Sequence, residues 1–470
     1  MFKSKVGKDF NFMTSKVDWK QKLGYSFGAS MGGNFIYTTV SSFATLYYTD
    51  SVGISAAVVG TMMLIARFLD GASDVAMGAI IDKTNTKLGK ARPWFLISII
   101  PLVLSLILVF NIPQNMGMTG KVVYMYITYI FSAVIAYTMM TLANNSMLML
   151  ITGNLKERIQ MNALANAMGF VAIIIINMFT SSLADSLGWS KVSIIYAFIA
   201  FLLLVMEGLL CYETRHLMSH TEKAEQKEAV KTPISKALPN LLKNRFFYII
   251  ILLSILNYIG IGATNGAGVY YCLNFYGNGS LFGLVTAAGM APCIIILPFV
   301  NKIVQLLKGK KNALILGYSL QVIGFGIVYF TTGNMVPMLL GLVIKGCGLG
   351  VIAALLIPLV GDVADYGEYK TGMRLDGITQ SASSVGIKVG TGLGSAFLGW
   401  GLAIGGYNAA LEVQSQSALN AINMIFSGIP ALCATAAFVL TFFFTIEKYT
   451  DEVQKALKEK EELTKSRRES

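Results

Sequence analysis

The chain has 470 residues, of which 54% are hydrophobic and only 13% are charged. A soluble domain is about one-quarter charged, so this composition excludes a disordered, fibrous or nucleic-acid-binding chain and indicates a polytopic membrane protein. At about 20 residues per membrane span, the length allows roughly a dozen transmembrane helices with their loops and a central linker.

The net charge of +12 reflects how the basic residues are distributed along the chain. Lys121 and Lys191 are the only basic residues in loops that we place outside the cell, and Arg67, Lys345 and Lys388 fall within apolar spans. The remaining lysines and arginines are predicted to face the cytoplasm. The positive-inside rule then predicts an even number of spans, with both termini in the cytoplasm.

Apolar runs bounded by turn or charged residues predict twelve helices. In chain order they cover approximately residues 23–48, 55–81, 93–112, 121–152, 160–184 and 190–212, then 246–273, 280–307, 312–332, 335–362, 374–404 and 418–446. A mixed-charge stretch separates the sixth helix from the seventh and is predicted to be a cytoplasmic linker. The predicted organisation is therefore an N-terminal six-helix half (1–212), the linker (213–245), a C-terminal six-helix half (246–446) and a cytoplasmic tail (447–470).

The loop between the second and third predicted helices is basic, and so is the corresponding loop of the second half, around residues 302–311. Two six-helix halves with matching loops are expected of a major facilitator fold. This repeat is faint, because any cytoplasmic loop tends to be basic.

Several chemistries lack their motifs in this sequence. No Gly-Lys pair is followed by Ser or Thr, so the phosphate-binding loop of an ATP-driven pump is missing. The only histidines, His216 and His220, lie in the predicted linker, and the five cysteines have no metal-ligand spacing. The N-terminus lacks a cleavable signal sequence, so we expect the first span to direct membrane insertion. We predict no enzymatic activity and no cofactor.

The second predicted helix carries acidic residues inside an apolar run. Arg67, Asp70 and Asp74 share one helical face, and the two acids are one turn apart. A charge at the bilayer centre costs roughly 2.5–3.5 kcal/mol. Adjacent carboxylates also repel, which favours uptake of a proton or a cation. We predict that Asp70 and Asp74 bind such an ion; a structural ion pair with Arg67 or Lys388 is the alternative.

Neutral polar side chains recur at helical spacing on other predicted spans. One water-filled cavity that receives a face from several helices would explain them, and its amides and hydroxyls suit a polyhydroxylated solute. Any single stripe could equally form contacts between helices. Lys388 could neutralise the acidic pair or bind a carboxylated substrate. The residues are Asn34, Tyr37 and Ser41; Thr138, Thr141 and Asn145; Asn162 and Asn166; Asn265; and Gln380, Ser384 and Lys388.

Three segments carry a resemblance to a known family: YYTDSVGIS (47–55), ARFLDGASDVAMGAIIDKTNTKLGKARPW (66–94) and GDVADYGEYKTGMRLDGITQSASSVGIKVGTGLG (361–394). In order and spacing they resemble the glycoside-pentoside-hexuronide:cation symporter family. The resemblance implies an all-α polytopic protein of the cell membrane with twelve transmembrane helices in a major facilitator fold. It also implies inward movement of a sugar together with Na⁺, Li⁺ or H⁺. We expect a monomer in the lipid bilayer, with a small-molecule sugar substrate and no nucleic-acid partner.

The resemblance also implies a cation site. Asp70 and Asp74 match the family's cation-site carboxylates, Thr138 matches a cation-site hydroxyl, and Lys388 matches a lysine beside that site. Ser73 stands where the melibiose carriers of the family have Asn. A Ser oxygen can still ligate Na⁺, so Na⁺ and H⁺ both stay open. If Na⁺ is the coupling ion, Asp70 and Asp74 are the metal ligands.

On the sugar side the sequence departs from the melibiose carriers. Asn34, Thr141, Asn145 and Asn166 stand where those carriers use two acids, a Trp and an Arg. A different glycoside is therefore expected, and the retained Lys388 makes an anionic sugar such as a hexuronide a reasonable hypothesis. The full set of predicted substrate-binding residues is Asn34, Tyr37, Thr141, Asn145, Asn166, Asn265, Gln380, Ser384 and Lys388.

The resemblance further implies a cytoplasmic gate in which a charged cluster pairs with basic residues of the loop between the fourth and fifth helices, here Arg158. Such pairs would close the inner side of the outward-facing carrier; ordinary loop charges are the alternative. The predicted gate residues are Arg158, Asp362, Asp365, Glu368 and Arg374.

Two other kinds of function are alternatives to sugar symport. The first is an exporter, or a transporter of a non-sugar amphipathic solute, but the asparagines and tyrosines argue against the apolar cavity it would need. The second is a membrane enzyme or a channel. The spans contain no nucleophile paired with a base, and a cavity enclosed by two six-helix halves disfavours a channel.

Overall fold

The structure is a computed structural model that describes residue 12, residues 15–214, 244–371, 376–411 and 413–449, and residues 452, 453 and 455. The side chains of residues 376–378 and 380–382 are outside this description. The predicted linker and tail therefore fall largely outside the described residues. Within the described ranges the fold is helical, with a single isolated β-bridge between Thr86 and Gly89.

Twelve helical segments follow one another through the described ranges, which confirms the predicted number. They are α1 (19–51), α2 (Ala56–Lys83), α3 (Arg92–Val109), α4 (Met118–Ile151), α5 (Leu155–Leu187), α6 (Trp189–Leu210), α7 (Arg245–Tyr276), α8 (Leu281–Leu306), α9 (Lys310–Phe330), α10 (Met335–Thr371), α11 (Asp376–Gly405) and α12 (416–443). α10 continues nine residues past the predicted end at residue 362. The predicted end was set where the apolar run stops, but the backbone of α10 remains helical through the charged residues that follow.

Ten of these helices are long and apolar enough to cross a membrane. α1 and α2 are the two that do not reach this level. Arg67, Asp70 and Asp74 lie within α2 and lower its hydropathy. One of the two helices that are least typical of a membrane span by composition thus carries the predicted cation site.

Local capping sets several of the helix boundaries. The Asn154 side chain accepts a hydrogen bond from the Lys156 N–H (3.1 Å) at the start of α5. At the other end of α5, Gly188 has a φ of +81° and is followed directly by α6. Such a backbone conformation favours glycine, so this residue allows the chain to turn between two long helices.

A matching cap occurs in both halves of the sequence and supports the predicted repeat. The Glu213 carboxylate accepts hydrogen bonds from the N–H groups of Ala91 and Arg92 (both 2.7 Å) at the start of α3. The Glu447 carboxylate accepts from the N–H groups of Lys310 and Lys311 at the start of α9. In each case an acid that follows the last helix of its half caps the third helix of that half, where the helix dipole favours negative charge.

The chain divides into two compact units. The first comprises Met1–Glu228, Asn265–Thr286 and Leu398–Leu419, and the second comprises Ala229–Thr264, Ala287–Phe397 and Asn420–Ser470. The first unit therefore combines α1–α6 with the C-terminal ends of α7 and α11 and the N-terminal ends of α8 and α12. The second unit has its own apolar core, in which Phe246, Tyr318, Ile352 and Phe444 are fully buried. The predicted boundaries of the two halves stay predictions.

Polar contacts join these end segments to α1–α6 within the first unit. The Tyr407 hydroxyl donates to an Asp50 carboxylate oxygen (2.8 Å), and the hydroxyls of Thr49 and Tyr270 are 2.8 Å apart. The indole N–H of Trp400 donates to the Thr61 hydroxyl (3.1 Å). Residues more than 200 positions apart in the sequence thus meet at the end of α1 and the start of α2.

Candidate cation and substrate site

The best-defined polar cluster in the first unit lies where α2 meets α4. Asp70 is 8% exposed, and its Oδ1 accepts a hydrogen bond from the Thr138 hydroxyl (2.7 Å). The Ser73 hydroxyl donates to the Asp70 carbonyl (3.0 Å) and lies 3.3 Å from the Thr138 hydroxyl. Three of the four predicted cation-site residues are therefore in direct contact.

Local helix geometry places Thr138 in this cluster. A π-helical turn, Phe131–Ala136, immediately precedes the α-helical segment that begins at Tyr137. Such a turn contains an additional residue and shifts the facing of the helix that follows it. Thr138 is 3% exposed and faces α2, whereas Thr141, three residues later, donates its hydroxyl back to the Tyr137 carbonyl (2.9 Å).

Asp74 completes the predicted set on the same face of α2, one turn beyond Asp70, and is partly buried. The donors are carboxylate and hydroxyl oxygens, the ligand type that hard cations prefer. Among the described residues, no group of three or more His, Cys, Asp and Glu is arranged to hold a metal ion. Oxygen donors of this kind suit Na⁺ or a proton better than a transition metal.

Arg67 and two tyrosines lie beside this cluster. The Arg67 Nη1 lies 3.9 Å from the Asp70 Oδ2, and the two side chains are 13% and 11% exposed. The rings of Tyr37 and Tyr137 stack at 4.9 Å, and the guanidinium carbon of Arg67 is 5.8 Å from the centre of the Tyr37 ring. Sequence reasoning considered Arg67 only as a possible ion-pair partner.

Sequence reasoning missed Tyr137 altogether. The sequence offered one clue to its location: Tyr137 directly precedes Thr138, a predicted cation-site residue. A single sequence gives no information on which aromatic residue will stack with which, because that depends on how α1 and α4 cross.

A small cavity opens beside the rings of Tyr37 and Tyr137. The residues that line it include Tyr37, Ser41, Arg67, Ser132 and Tyr137. Its wall offers hydroxyl groups and a guanidinium together with the tyrosine ring faces.

The predicted substrate residues of the first unit have different environments. The Asn34 side-chain amide donates to the Ser30 carbonyl (2.5 Å) and lies against Gly169 of α5. Asn145, Asn166 and Asn265 are exposed. In the second unit, α11 carries an exposed Ser384 and a half-buried Lys388, and the Gln380 side chain is outside the described residues. The roles of these residues in substrate binding stay predictions.

Two of the predicted gate residues have partners in their own units. Arg158 donates through Nε to the Thr152 carbonyl (2.6 Å) and through Nη2 to the Met149 carbonyl (3.2 Å). Asp362 forms an ion pair with Lys310 (2.6 Å). Asp365 is half-buried and Glu368 is buried, whereas Arg374 falls outside the described ranges. The gate as a whole stays a prediction.

The helical fold has solved counterparts. The crystal structure of the nucleoside transporter NupG is similar, with a TM-score of 0.64 and 13% sequence identity, over 90% of this chain and 99% of that one. Similarity at this level of identity shows the fold alone, and it is the fold of a major facilitator transporter, as predicted.

Sequence comparison identifies the family. Residues 24–448 match the family model described as MFS/sugar transport protein, and the chain belongs to this family of membrane transporters, which are not enzymes. The isoprimeverose transporter of Lactiplantibacillus pentosus is 30% identical over 459 residues, 94% of this chain and 92% of that protein. The glucuronide carrier protein homolog of Escherichia coli (strain K12) is 27% identical over 439 residues, 92% of this chain and 94% of that protein. These matches confirm the family resemblance found in the sequence.

Proposed function

We propose that this chain imports a glycoside, pentoside or hexuronide by symport with Na⁺ or H⁺, through alternating access. The observation that carries the proposal is the contact among Asp70, Ser73 and Thr138 inside a multi-pass membrane protein. The names of the two relatives support a sugar as the substrate class.

In this mechanism the cation completes an otherwise unfavourable site. Asp70 is buried, and Asp74 lies one turn away on the same helix. Two carboxylates in a medium of low dielectric repel each other, and each also loses hydration. A bound cation or proton removes that cost, so the loaded site is more stable than the empty one. The hydroxyls of Ser73 and Thr138 supply further oxygen ligands.

The sugar is proposed to bind next to the cation. The amide and hydroxyl groups of Asn34, Thr141, Asn145 and Asn166 can donate to and accept from the many hydroxyls of a glycoside. Lys388 would pair with the carboxylate of a hexuronide or stabilise the acidic pair. A substitution of Lys388 that abolishes only the uptake of anionic sugars would identify it as a substrate residue, whereas loss of cation coupling would group it with the acids.

The driving force is the ion gradient across the cell membrane, with both termini proposed to lie in the cytoplasm. One charge that crosses 100 mV yields about 2.3 kcal/mol. At one-to-one coupling this energy supports roughly fiftyfold accumulation of the sugar.

The test is uptake of labelled glycosides, pentosides and hexuronides by vesicles that contain the carrier, with a Na⁺ gradient or a proton gradient imposed separately. We expect one class of sugar to accumulate under one of the gradients. Asp70→Asn and Asp74→Asn should abolish accumulation while leaving the protein folded, because each removes a negative charge that attracts the cation and a carboxylate that can bind a proton. Asp185→Asn is the matched control, since Asp185 is an exposed acid near the end of α5.

Full accumulation by both acid variants would contradict the mechanism. If no sugar accumulates under any gradient, the import proposal fails, and export or transport of a non-sugar amphipathic solute becomes the next hypothesis to test. In that case the same vesicles would be loaded with solute and assayed for efflux.

A further inference from the structure

Glu207 lies in the last turn of α6 and is completely buried where α6 packs against α1. Its Oε2 accepts a hydrogen bond from the Ala29 N–H (2.5 Å). Its Oε1 has no hydrogen-bond partner among the residues that the structure describes, and no basic side chain of those residues forms an ion pair with the carboxyl group. The function proposed above gives this acid no role.

Two other buried acids of the first unit show what compensates a carboxylate. Glu157, at the start of α5, lies 2.7 Å from the Lys22 ammonium and accepts a hydrogen bond from the Val17 N–H (2.9 Å). Glu213 accepts hydrogen bonds from three consecutive backbone N–H groups at the start of α3. Glu207 has one backbone donor and no cation. Because an unpaired carboxylate is costly to bury, this environment suits the protonated, neutral form of Glu207.

The backbone of α1 makes room for this side chain. A Cβ atom added to Gly28 would lie 2.2 Å from both the Cβ and the Oε2 of Glu207, so only glycine lets the carboxyl group reach the backbone here. The α-helical segment Trp19–Phe27 ends at this residue, and the π-helical turn Gly28–Gly32 follows. Ala29, which donates to Glu207, lies in that turn. Turns of this kind frequently mark functional sites.

The ionisable neighbours of Glu207 do not supply a counter-charge. Tyr25 of α1 and Cys211, just after α6, are weak acids that would add negative charge if they ionised. Arg92 of α3 donates through Nη2 to the Gly208 carbonyl (2.8 Å) and forms no ion pair with Glu207 within the described ranges. A metal ion needs several oxygen ligands, whereas a single carboxyl group is sufficient to bind a proton.

We propose that Glu207 is a proton-binding site of the carrier, separate from the candidate cation site, and that the bound proton holds α1 against α6 at Gly28. The ionised carboxylate needs water, which reaches it only when α1 separates from α6 at this point. Asn34 and Tyr37 follow on α1, and the Tyr37 ring lies 5.8 Å from the guanidinium carbon of Arg67. Loss of the proton would therefore free the segment of α1 that reaches the candidate cation site. The inference stands independently of the proposed sugar and coupling ion.

The linkage between proton binding and the contact of α1 with α6 has a definite sign. The contact keeps Glu207 protonated, so it is most stable at low pH and weakens as pH rises. One proton released on opening raises the open population by up to about tenfold per pH unit. Glu207→Gln is neutral at every pH and has nearly the shape of the protonated acid. The contact in this variant should therefore not respond to pH.

The experiment uses the purified full-length carrier in lipid nanodiscs between about pH 6 and about pH 10. Infrared difference spectroscopy detects the C=O stretching band of a protonated carboxylic acid. Hydrogen exchange followed by mass spectrometry, corrected for intrinsic rates, measures the protection of residues 24–33. We expect wild type to have an acid band at neutral pH that Glu207→Gln lacks, and we expect protection in wild type to fall as this band disappears. Glu157→Gln is the matched control for the band, because Glu157 is paired with Lys22 and should contribute none.

Thermal unfolding verifies that each variant is folded, and Glu207→Met, which is also neutral and of similar length, replaces Glu207→Gln if the latter does not fold. Loss of the acid band together with protection that no longer depends on pH supports the inference. A band that is unchanged by substitution of Glu207 overturns it, because the carboxyl group is then ionised in the folded carrier. A band and a protection that both stay constant to about pH 10 also overturn it, since Glu207 is then a purely structural acid. Protection that still falls with pH in the variant assigns the dependence to another group, such as Tyr25 or Cys211, and overturns the inference as well.

Discussion

The hydroxyl of Thr138 orients the carboxylate at the centre of the proposed cation site. It donates to the Asp70 Oδ1 at 2.7 Å, in a site where both side chains are buried. A buried carboxylate oxygen without a donor costs about 1–3 kcal/mol, and more if the group is charged. The bond therefore keeps one carboxylate oxygen in place for an incoming ion.

Replacement of Thr138 by Val, which has nearly the same shape, tests this contact. We expect Thr138→Val to raise the half-saturating cation concentration by roughly tenfold, because a ligand and an orienting donor are both lost. Thr138→Ser retains the hydroxyl and should stay close to wild type. The measurement is a titration of the purified full-length carrier in lipid nanodiscs with NaCl, LiCl or protons, followed by intrinsic tryptophan fluorescence. An unchanged midpoint for Thr138→Val would show that the hydroxyl has no part in cation binding.

The sequence predicted some of the residues of the candidate site but not all of their contacts. The spacing of Asp70 and Asp74 was visible, because helical periodicity alone puts them on one face. Thr138 came from the family resemblance, and its contact with Asp70 confirms that the two are neighbours. The stacking of Tyr37 on Tyr137 was missed, since contacts between α1 and α4 depend on how those helices cross.

At the scale of elements, glycines set the distance between neighbouring helices of the second unit. A Cβ atom added to Gly390 would lie 2.5 Å from the Ile255 carbonyl oxygen, and one added to Gly394 would lie 2.4 Å from that of Ile259. The backbones of α7 and α11 therefore approach too closely for any side chain at these positions. Small residues inside apolar spans allow membrane helices to pack closely in this way.

A substitution at Gly394 should separate α7 from α11. We expect Gly394→Val to destabilise the protein by about 1–3 kcal/mol, as overpacking of a close interface does, and to lower the thermal unfolding midpoint. Gly361→Val in α10 is the control, because a Cβ there would meet no atom within 4 Å. Equal midpoints for the two variants would mean that the close approach of α7 and α11 contributes nothing to stability.

At the scale of the whole molecule, the first unit depends on contacts between distant parts of the chain. Asp50 lies just beyond the predicted first span and accepts hydrogen bonds from the hydroxyls of Thr49 (2.5 Å) and Tyr407 (2.8 Å). The protein around the carboxylate desolvates it and raises its pKa above the ordinary value, although the two hydrogen bonds act in the opposite direction and part of the side chain is exposed. The charged form is thus less favoured when this contact is made than when the side chain is hydrated.

This shift predicts a pH dependence of the contact between residues 398–419 and the end of α1. Because the pKa of Asp50 is higher when the contact is made than when the side chain is hydrated, protonation favours the contact. Its stability is full below the ordinary pKa and declines as pH rises through the raised pKa. We expect hydrogen-exchange protection at residues 47–51 and 403–409, corrected for intrinsic rates, to increase as pH falls from about 7 towards about 4.

Substitutions distinguish this titration from a general effect of acid. Asp50→Asn stays neutral at every pH and should lose the pH dependence, whereas Tyr407→Phe should lower protection at all pH values because it removes the donor. Tyr126→Phe in α4 is the matched control. A wild-type pH profile that persists in Asp50→Asn would assign the dependence to another group.

The sequence by itself determined the class of this protein: composition gave a polytopic membrane protein, apolar runs gave twelve helices, and motif spacing gave the family. These features are local, since the hydrophobic length of a span and the repeat of a helix are written in consecutive residues. Only the tertiary structure decided that Thr138 meets Asp70, that Arg67 lies between that acid and a tyrosine pair, and that Tyr407 contacts Asp50. Such contacts join residues far apart in the chain, so they depend on helix crossings and π-helical turns that no consecutive stretch of sequence encodes.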